Sequence, residues 1–383
     1  MKQLTFFLLS SFFINCFGQQ YSKIWTDIDY AGDGKIGHLL DIYLPITNRQ
    51  TVPVVIYIYG FGWLSNNSKG TDISTVGSAL LNAVYAVVMP NYRASTDSIF
   101  PAQIHDIKAA IRFIRANASK YQFDASFIGL SGRSAGGHLS ALAGTSSDVK
   151  QYTVDFTTID IEGNVGKYKT YSSKVNAVCD FFGPTDFSKM DSCGGSLSSA
   201  YYYASLLIGG KIQDNKSKCA LANPLTYIDP TDPPFLIIHG DADTVVPLCE
   251  SKLLYKALQD KGVGCQLEIV PGGEHGPGVI VDTYINKMVS FFNNVKSAVT
   301  LIKEPINDPV KVTFNSDNNT INVRSSSGVS IMNYEIFDLS GKVIIKNYFK
   351  NNSIGIGFLN QGIYILKIQT KEGNCYIRKF PKL

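Results

Sequence analysis

The sequence predicts an α/β protein with a mostly parallel sheet, followed by a small antiparallel β-sandwich. Over residues 24–300, short apolar β-rich runs alternate with helical runs, an order that indicates a parallel sheet with helices on both faces. Helical periodicity is absent from residue 310 onward, where short alternating strands are separated by Asn, Ser and Gly clusters. We therefore expect an α/β domain over 19–300, a linker over 301–309 and a sandwich over 310–383.

The α/β part divides into elements that follow one another in regular order. The run over 52–59 is continuously apolar, as expected of a strand covered on both faces. The helix over 102–118 has isoleucines and alanines at i, i+3, i+4 spacing, and the helix over 284–299 is amphipathic. The remaining predicted elements are strands over 83–89, 127–130, 175–182, 235–239 and 265–270, and helices beginning after Ser134 and covering 253–261.

The C-terminal part reads as six strands joined by turns. Asp338-Leu339-Ser340-Gly341-Lys342 is typical of a hairpin turn. The predicted strands cover 311–314, 320–323, 332–338, 342–347, 363–369 and 375–380.

Composition excludes several classes of function. The chain has 383 residues, 45% of them hydrophobic and 17% charged, which is typical of a globular protein with a sizeable core. Its formal net charge of +4 is spread without a Lys/Arg block, so no nucleic-acid partner is expected. Cysteine spacing is irregular and lacks a CxxC pair, so no metal site is expected. Cys193 and Cys219 flank a Tyr-rich stretch and are candidates for a disulfide bond.

The N-terminus predicts export. Lys2 precedes an apolar run over 4–14 and small residues near Gly18, the pattern of a signal peptide over 1–18. The run is shorter than the roughly 20 residues of a membrane span, and no other segment is expected to cross a bilayer. A lipoprotein signal cut before Cys16 is the alternative, but Asn15 disfavours it because a small residue normally stands there.

The segment Gly132-Arg133-Ser134-Ala135-Gly136 matches the G-x-S-x-G nucleophile elbow. An apolar strand precedes it and a helix of small residues follows, which is the context that the motif requires. Ser134 is therefore the predicted nucleophile, placed at a helix N-terminus where developing negative charge is favoured.

The base and the acid are predicted from strand ends, where catalytic groups gather in open α/β sheets. Among five histidines, His275 alone lies in a Gly-rich loop after a late strand, and it is the predicted base. Asp243 follows the strand over 235–239 and gives the order Ser…Asp…His of α/β-hydrolases. Asp241 competes with it, and Asp180 and Asp186 are further alternatives. The other histidines are expected to be structural: His38, His105, His138 and His239.

An oxyanion hole requires backbone N–H donors. One is expected from Ala135, the residue after the nucleophile, and others from Phe61 and Gly62 in the loop after the strand over 52–59. This chemistry needs neither a cofactor nor a metal.

Six segments in order carry a family resemblance: NYR at 91–93, FPAQ at 100–103, GRSAGGHL at 132–139, FGPTDF at 182–187, DPPFLIIHGDAD at 232–243 and HG at 275–276. Through them, residues 24–298 resemble α/β-hydrolase carboxylesterases of the bacterial feruloyl and acetyl-xylan esterase kind, related to hormone-sensitive-lipase-like esterases and kynurenine formamidases. The resemblance implies Ser134 as nucleophile and His275 as base, and it prefers Asp243 over Asp241.

The sequence departs from this family at the oxyanion loop. Such esterases usually have His-Gly-Gly-Gly-Trp, whereas here Tyr59 replaces the His and Phe61 the middle Gly. Phe61 and Gly62 can still donate through their backbone N–H groups, but positive φ is costly for Phe61, so we expect a differently shaped loop and a narrower acyl pocket.

Two segments of the tail carry a second resemblance: YEIFDLSGKV at 334–343 and LNQGIYILKI at 359–368. Residues 310–383 resemble the sorting domain of the type IX secretion system, although the usual Tyr-Pro-Asn-Pro opening is missing. The resemblance implies that secretion machinery is a partner and that the chain reaches the cell surface or the medium through the periplasm. A small carbohydrate-binding sandwich is the alternative.

These observations predict a secreted serine carboxylesterase that works through an acyl-enzyme. Resemblance and secretion imply acetyl or feruloyl esters of plant polysaccharide as substrates. An arylformamidase or peptidase on the same fold, and a non-catalytic surface adhesin, are the alternatives. Arg93 and Asp106 are expected to form a structural ion pair. Tyr201, Tyr202 and Tyr203 lie in an insert and either line a pocket or pack at the surface.

Overall fold

A computed structural model describes residues 21–190, 199–300, 309–315, 319–325, 329–338, 341–350, 353–360 and 362–382. The predicted signal peptide over 1–18, the linker residues 301–308 and Cys193 lie outside these ranges.

One large sheet organises the first part of the chain. Its eight strands have the order β1-β2-β4-β3-β5-β8-β9-β10; β2 runs antiparallel to both neighbours, and the other adjacent pairs are parallel. A separate hairpin is formed by β6 and β7. The strands are β1 (Lys23–Asp29), β2 (Leu39–Leu44), β3 (Val52–Ile58), β4 (Ala86–Pro90), β5 (Phe123–Arg133), β6 (Gln151–Val154), β7 (Thr157–Asp160), β8 (Ala177–Phe181), β9 (Phe235–Gly240) and β10 (Cys265–Val270). The predicted mostly parallel sheet is confirmed.

Helices cover both faces of this sheet. Side chains alternate along β3, so Val54 and Ile56 join one buried cluster with residues of α2, α3 and α6. Val55 and Tyr57 join the other cluster, with residues of α1 and α7. This double coverage explains why 52–59 reads as an unbroken apolar run. The helices are α1 (Ser78–Asn82), α2 (Ala102–Ala116), α3 (Ala135–Thr145), α4 (Ser199–Ile208), α5 (Lys216–Ala222), α6 (Leu248–Asp260) and α7 (Asp282–Thr300).

The fourth strand begins later than its apolar pattern predicts. Ala83 still donates a backbone hydrogen bond to Ala79 and so ends α1, and Val84 has a φ of 64°. The chain therefore finishes a helix over the first residues of the expected strand at 83–89, and β4 starts at Ala86.

The C-terminal part consists of two antiparallel sheets, with the orders β11-β12-β15 and β14-β13-β16-β17. Val310 and Ile321 from the first sheet share a buried cluster with Ile336, Leu366 and Phe380 from the second, as in a sandwich. All six predicted strands are present, and the additional β15 has three residues. The strands are β11 (Val310–Asn315), β12 (Thr320–Ser325), β13 (Ile331–Asp338), β14 (Val343–Tyr348), β15 (Ser353–Gly355), β16 (Gly362–Thr370) and β17 (Cys375–Lys382).

The predicted bridge between Cys193 and Cys219 is wrong. Cys219 carries a free thiol on the buried side of α5, where its Sγ lies 3.8 Å from the Ile212 carbonyl oxygen. Among the described cysteines, Cys249 is the one that forms a disulfide bond.

Replacing Phe292 tests how α7 packs on the sheet. The Phe292 ring is fully buried over Gly129 of β5 and contacts the rings of Tyr85 and Phe127. Phe292→Ala leaves a cavity, so we expect the free energy of unfolding to fall by about 3–5 kcal/mol. Urea unfolding followed by tryptophan fluorescence measures this loss of free energy. Both tryptophans precede residue 64, so the signal comes from the α/β part and not from the C-terminal sandwich.

The matched control is Phe156→Ala, since Phe156 is fully exposed in the turn between β6 and β7. Its unfolding free energy should stay within about 0.5 kcal/mol of the wild-type value. Equal losses in the two variants would contradict this account of the packing.

Candidate active site

Ser134 lies in the sharp turn between β5 and α3, with φ 54° and ψ −122°. The backbone of β3 passes close to this turn. A Cβ on Gly136 would lie 2.1 Å from the Ile58 carbonyl oxygen, and one on Gly132 would lie 2.5 Å from the Gly136 carbonyl carbon. Glycine is therefore required on both sides of Ser134. The strand, strained serine and helix have the arrangement expected of a nucleophile elbow.

The structure brings the predicted serine, histidine and aspartate into one chain of contacts. His275 lies in the loop after β10, and its Nε2 is 2.9 Å from Ser134 Oγ. The other ring nitrogen, Nδ1, is 2.7 Å from Oδ2 of Asp243, which follows β9. The Phe182 ring packs against the His275 imidazole with centroids 4.8 Å apart. Three residues far apart in sequence thus meet at one edge of the sheet.

Asp243 is held as a carboxylate. Its Oδ1 accepts hydrogen bonds from the backbone N–H groups of Val245 and Val246 at 2.8 and 2.9 Å. Burial alone would raise the pKa of Asp243, but hydrogen bonds from His239 and His275 and the charge of His275 hold this pKa well below its ordinary value. A carboxylate only accepts, so His275 Nδ1 carries the proton and Nε2 is left to accept from the Ser134 hydroxyl.

The competing carboxylates make other contacts. Asp241 Oδ1 accepts from the Gly272 N–H at 2.7 Å and so shapes the loop that leads to His275. Asp180 Oδ1 accepts from the Gly183 N–H at 2.9 Å, and burial raises the pKa of Asp180 to about 6. Asp186 Oδ1 accepts from Ser188. Among the described residues, Asp243 is the carboxylate that contacts His275.

His239 supports Asp243 from the end of β9. Its Nε2 lies 2.9 Å from the Val246 carbonyl oxygen and 3.3 Å from Asp243 Oδ2, and its Nδ1 lies 2.7 Å from Ser251 Oγ. Because a carbonyl only accepts, Nε2 carries the proton and Nδ1 accepts from the Ser251 hydroxyl. This buried imidazole thereby holds the turn from Asp243 to Val246 closed.

The loop after β3 has positive φ at Phe61, a backbone conformation that is costly for this residue. Phe61, Gly62 and Trp63 form one 3-10 turn with φ values of 66°, 58° and 59°. The cost expected for positive φ at Phe61 does not prevent this conformation. The Leu64 N–H donates to the Phe61 carbonyl at 3.0 Å and closes the turn, and the Phe61 side chain is 53% exposed.

Two stacked tyrosines fix this loop. The ring of Tyr59 stacks on that of Tyr92 with centroids 4.6 Å apart, and the Tyr59 hydroxyl donates to the Ser65 carbonyl at 2.8 Å. The Tyr92 hydroxyl donates to the Gly60 carbonyl at 2.7 Å. A trans peptide directs its C=O and N–H in opposite directions, so this bond also sets the direction of the Phe61 N–H. The family resemblance includes Tyr92 in NYR at 91–93, but the sequence does not reveal its contact with Gly60, because the pairing joins segments that are distant along the chain.

The backbone donors expected of an oxyanion hole lie beside Ser134. Ala135 is the first residue of α3, so its N–H has no acceptor within the helix. Phe61 and Gly62 are likewise the first residues of their turn. Gly60 brings this turn against the nucleophile, since a Cβ there would lie 3.1 Å from Ser134 Cβ.

A pocket of about 580 Å³ opens over Ser134 and His275. Tyr203 of α4 packs on Gly62, where an added Cβ would lie 2.9 Å from the tyrosine ring. The predicted tyrosine stretch therefore supplies Tyr203 to the pocket, whereas Tyr202 is 62% exposed outside it. The rest of the wall includes Phe61, Trp63, Arg133, Pro184, Val245 and Val246.

The predicted ion pair of Arg93 and Asp106 is confirmed. The guanidinium donates through Nε and Nη2 to the buried carboxylate, with the shortest distance 2.7 Å. His38 Nε2 lies 3.1 Å from the same carboxylate. Within the described parts of the chain, no cluster of His, Cys, Asp and Glu is arranged to hold a metal ion, and no helix is long and apolar enough to cross a bilayer.

The sheet order, the elbow and the helices on both faces define an α/β-hydrolase fold. The chain belongs to the BD-FAE family, whose model matches residues 40–258. The model of the secretion system C-terminal sorting domain matches residues 305–381, which indicates export to the cell surface or the medium.

Solved structures and curated proteins agree with this assignment. A truncated carbohydrate esterase from gut microbiota is 43% identical, with a TM-score of 0.70 over 73% of this chain and 98% of that one. A bifunctional GH43-CE protein of Bacteroides eggerthii is 48% identical, with a TM-score of 0.68 over 71% of this chain and 35% of that one. Esterase LipQ of Mycobacterium tuberculosis is 28% identical over 64% of this chain and 55% of its own length. The chain spans about half the length of the curated relatives it matches.

Glu250 makes the stability of the site region depend on pH. It lies buried in α6, and its Oε2 accepts from the backbone N–H groups of Thr185 and Asp186 at 2.8 and 2.6 Å. Burial raises the pKa of Glu250 from 4.5 to about 7. The folded state therefore holds this proton more tightly than the unfolded chain, so its contribution to stability falls as pH rises from about 4.5 to about 7.

Glu250→Gln keeps a neutral side chain of the same shape, so it should remove this part of the pH dependence. Relative to wild type, the variant should gain unfolding free energy between about pH 5 and about pH 8 in urea titrations. Glu274→Gln, at an exposed position, is the control. Its unfolding free energy should equal that of wild type at about pH 5 and at about pH 8. If the difference in unfolding free energy between Glu250→Gln and wild type did not change with pH, the raised pKa of Glu250 would be contradicted.

Proposed function

We propose that this chain is a secreted serine carboxylesterase in which Ser134 is the nucleophile, His275 the general base and Asp243 the acid that orients it. The observation that carries the proposal is the continuous contact from Asp243 through His275 to Ser134 at the floor of a pocket. Membership of the BD-FAE family supports it, as do relatives named esterases.

The reaction follows from the protonation states of the site. His275 Nε2 accepts the Ser134 proton as Oγ attacks the ester carbonyl carbon, and the carbonyl oxygen becomes an oxyanion. Asp243 stabilises the imidazolium that forms. His275 then gives the proton to the leaving alcohol, which departs and leaves an acyl-enzyme. Water, deprotonated by His275, attacks the acyl carbon, and the carboxylic acid is released with Ser134 restored.

The oxyanion is proposed to accept hydrogen bonds from the N–H groups of Ala135, Phe61 and Gly62. Their lack of helical acceptors and the close approach of Gly60 to Ser134 support this assignment. One such donor contributes about 3–4 kcal/mol of transition-state stabilisation in serine hydrolases. A non-catalytic adhesin, suggested by the replacement of Gly by Phe61, is disfavoured because the loop places positive φ at that position nonetheless.

For substrates we propose acetyl or feruloyl esters of plant polysaccharide. The similarity to a protein described as a carbohydrate esterase supports a sugar ester. The rings of Phe61 and Tyr203 at the pocket suit contact with a sugar or phenolic ring. Arylformamidases and peptidases need the same three residues, so hydrolysis of short-chain, long-chain and feruloyl esters beside formamides and peptides separates these alternatives.

Labelling with a fluorophosphonate tests the nucleophile. Wild type should be labelled once and hydrolyse 4-nitrophenyl acetate, whereas Ser134→Ala should lose the label and about 10⁴-fold or more in kcat. Ser147→Ala, which changes a serine just past the end of α3, is the control and should behave as wild type. A folded wild-type protein that takes no label, or a labelled Ser134→Ala variant, would overturn the assignment.

For export we propose that residues 1–18 direct the chain to the periplasm and that residues 310–383 direct it across the outer membrane. The sorting-domain match over 305–381 and the two-sheet tail support the second step.

Deleting residues 310–383 should therefore retain the protein in the periplasm, which cell fractionation and immunoblotting would detect. Full-length Ser134→Ala is the control, because its tail is intact and it should be exported as wild type is. Unchanged secretion of the shortened chain would contradict the role of the tail.

A further inference from the structure

Arg133, the residue before the nucleophile, is fixed at the wall of the pocket by two contacts. Its Nε donates to Asp72 Oδ2 at 2.8 Å. Its guanidinium carbon lies 5.7 Å from the centroid of the Phe61 ring, within the range of a cation–π contact. The side chain is 26% exposed and that of Asp72 is 12% exposed, so the pair is partly shielded from water. Arg133 is thus held in one orientation rather than extended into solvent.

The outer end of this guanidinium has unused hydrogen-bonding capacity. Arginine has five N–H donors, and Asp72 accepts from the one on Nε. Among the described residues, none accepts from the Nη1 or Nη2 groups of Arg133. The pocket residues that the structure describes include no Asp or Glu, and Arg133 is the one among them with a permanent charge. The pocket wall therefore includes, next to Ser134, a guanidinium that is paired with Asp72 through Nε and whose Nη groups have no acceptor among the described residues.

We propose that Arg133 is a specificity-determining residue that binds a carboxylate on the substrate, so that the preferred esters have an acidic alcohol part such as a uronic acid residue. This inference rests on the proposed esterase function. A planar guanidinium matches a carboxylate through two parallel hydrogen bonds, and Asp72 and the Phe61 ring both contact the guanidinium of Arg133. An acetyl group has no carboxylate of its own, which assigns the charged group to the alcohol part.

A narrower role is that Arg133 only positions the loop at Phe61. The two roles differ in what they predict for matched substrates. A positioning role affects charged and neutral esters equally, whereas carboxylate binding affects only the charged member of a pair. Substrate charge is therefore the variable to change, with the reacting acetyl ester kept constant.

The test compares 3- and 4-acetoxybenzoate with the corresponding 3- and 4-acetoxybenzamides, which differ in charge at nearly constant shape. Wild type should prefer at least one benzoate over its amide, and the preference should shrink between about 0.02 M and about 0.5 M salt. Arg133→Gln should lose about tenfold or more in kcat/KM for that benzoate, mainly through KM, and less than about threefold for the amide. Arg133→Lys, which keeps the charge without the fork, should retain part of the preference.

Arg49→Gln removes one positive charge at an exposed position outside the pocket and should leave both members of each pair unchanged. Equal losses for benzoate and amide in Arg133→Gln, or no preference for either benzoate in wild type, would overturn carboxylate binding. Failure of the proposed function would look different. Wild type would then hydrolyse the acidic and the neutral esters no faster than Ser134→Ala does.

Discussion

The close crossing of two backbone segments governs this site. The elbow between β5 and α3 passes the end of β3 so tightly that Gly132 and Gly136 leave no room for a Cβ. Ser134 is consequently held at positive φ, directly in front of the loop that continues from β3. The nucleophile and its proposed oxyanion donors are therefore neighbours because two strands and a helix pack closely, before any side chain takes part.

Sequence reasoning reached the three proposed catalytic residues because each follows a strand of a parallel sheet. The carboxyl ends of those strands lie at one edge, so chain order together with strand position was sufficient to pair Ser134 with His275. The choice between Asp241 and Asp243 was harder, since both follow β9. It depends on the turn in which Val245 and Val246 direct their N–H groups at Asp243, a feature with no local signature.

Other features lay beyond the sequence because they depend on contacts between distant segments. The backbone of Phe61 could not be predicted from its own preference, since the turn at Leu64 and the bond from Tyr92 to Gly60 decide it. The bridge between Cys193 and Cys219 was suggested only by their positions on either side of the Tyr-rich stretch. In the structure, helix α5 buries the thiol of Cys219. Tyr203 joins the pocket because α4 carries it over Gly62, and a run of three tyrosines does not reveal which one faces inward.

The hydrogen bond from the Tyr92 hydroxyl to the Gly60 carbonyl joins two segments that are distant in the sequence. Tyr92 follows β4, whereas Gly60 follows β3, so the bond connects the loops after two neighbouring strands. A His-Gly-Gly-Gly-Trp loop grafted onto 59–63 would keep a backbone carbonyl at position 60 for the Tyr92 hydroxyl, but it would lose the Tyr59 ring that stacks on Tyr92. For redesign, segments 59–65 and 91–93 form one unit, tied by the backbone hydrogen bond at Gly60 and by the stacked rings of Tyr59 and Tyr92.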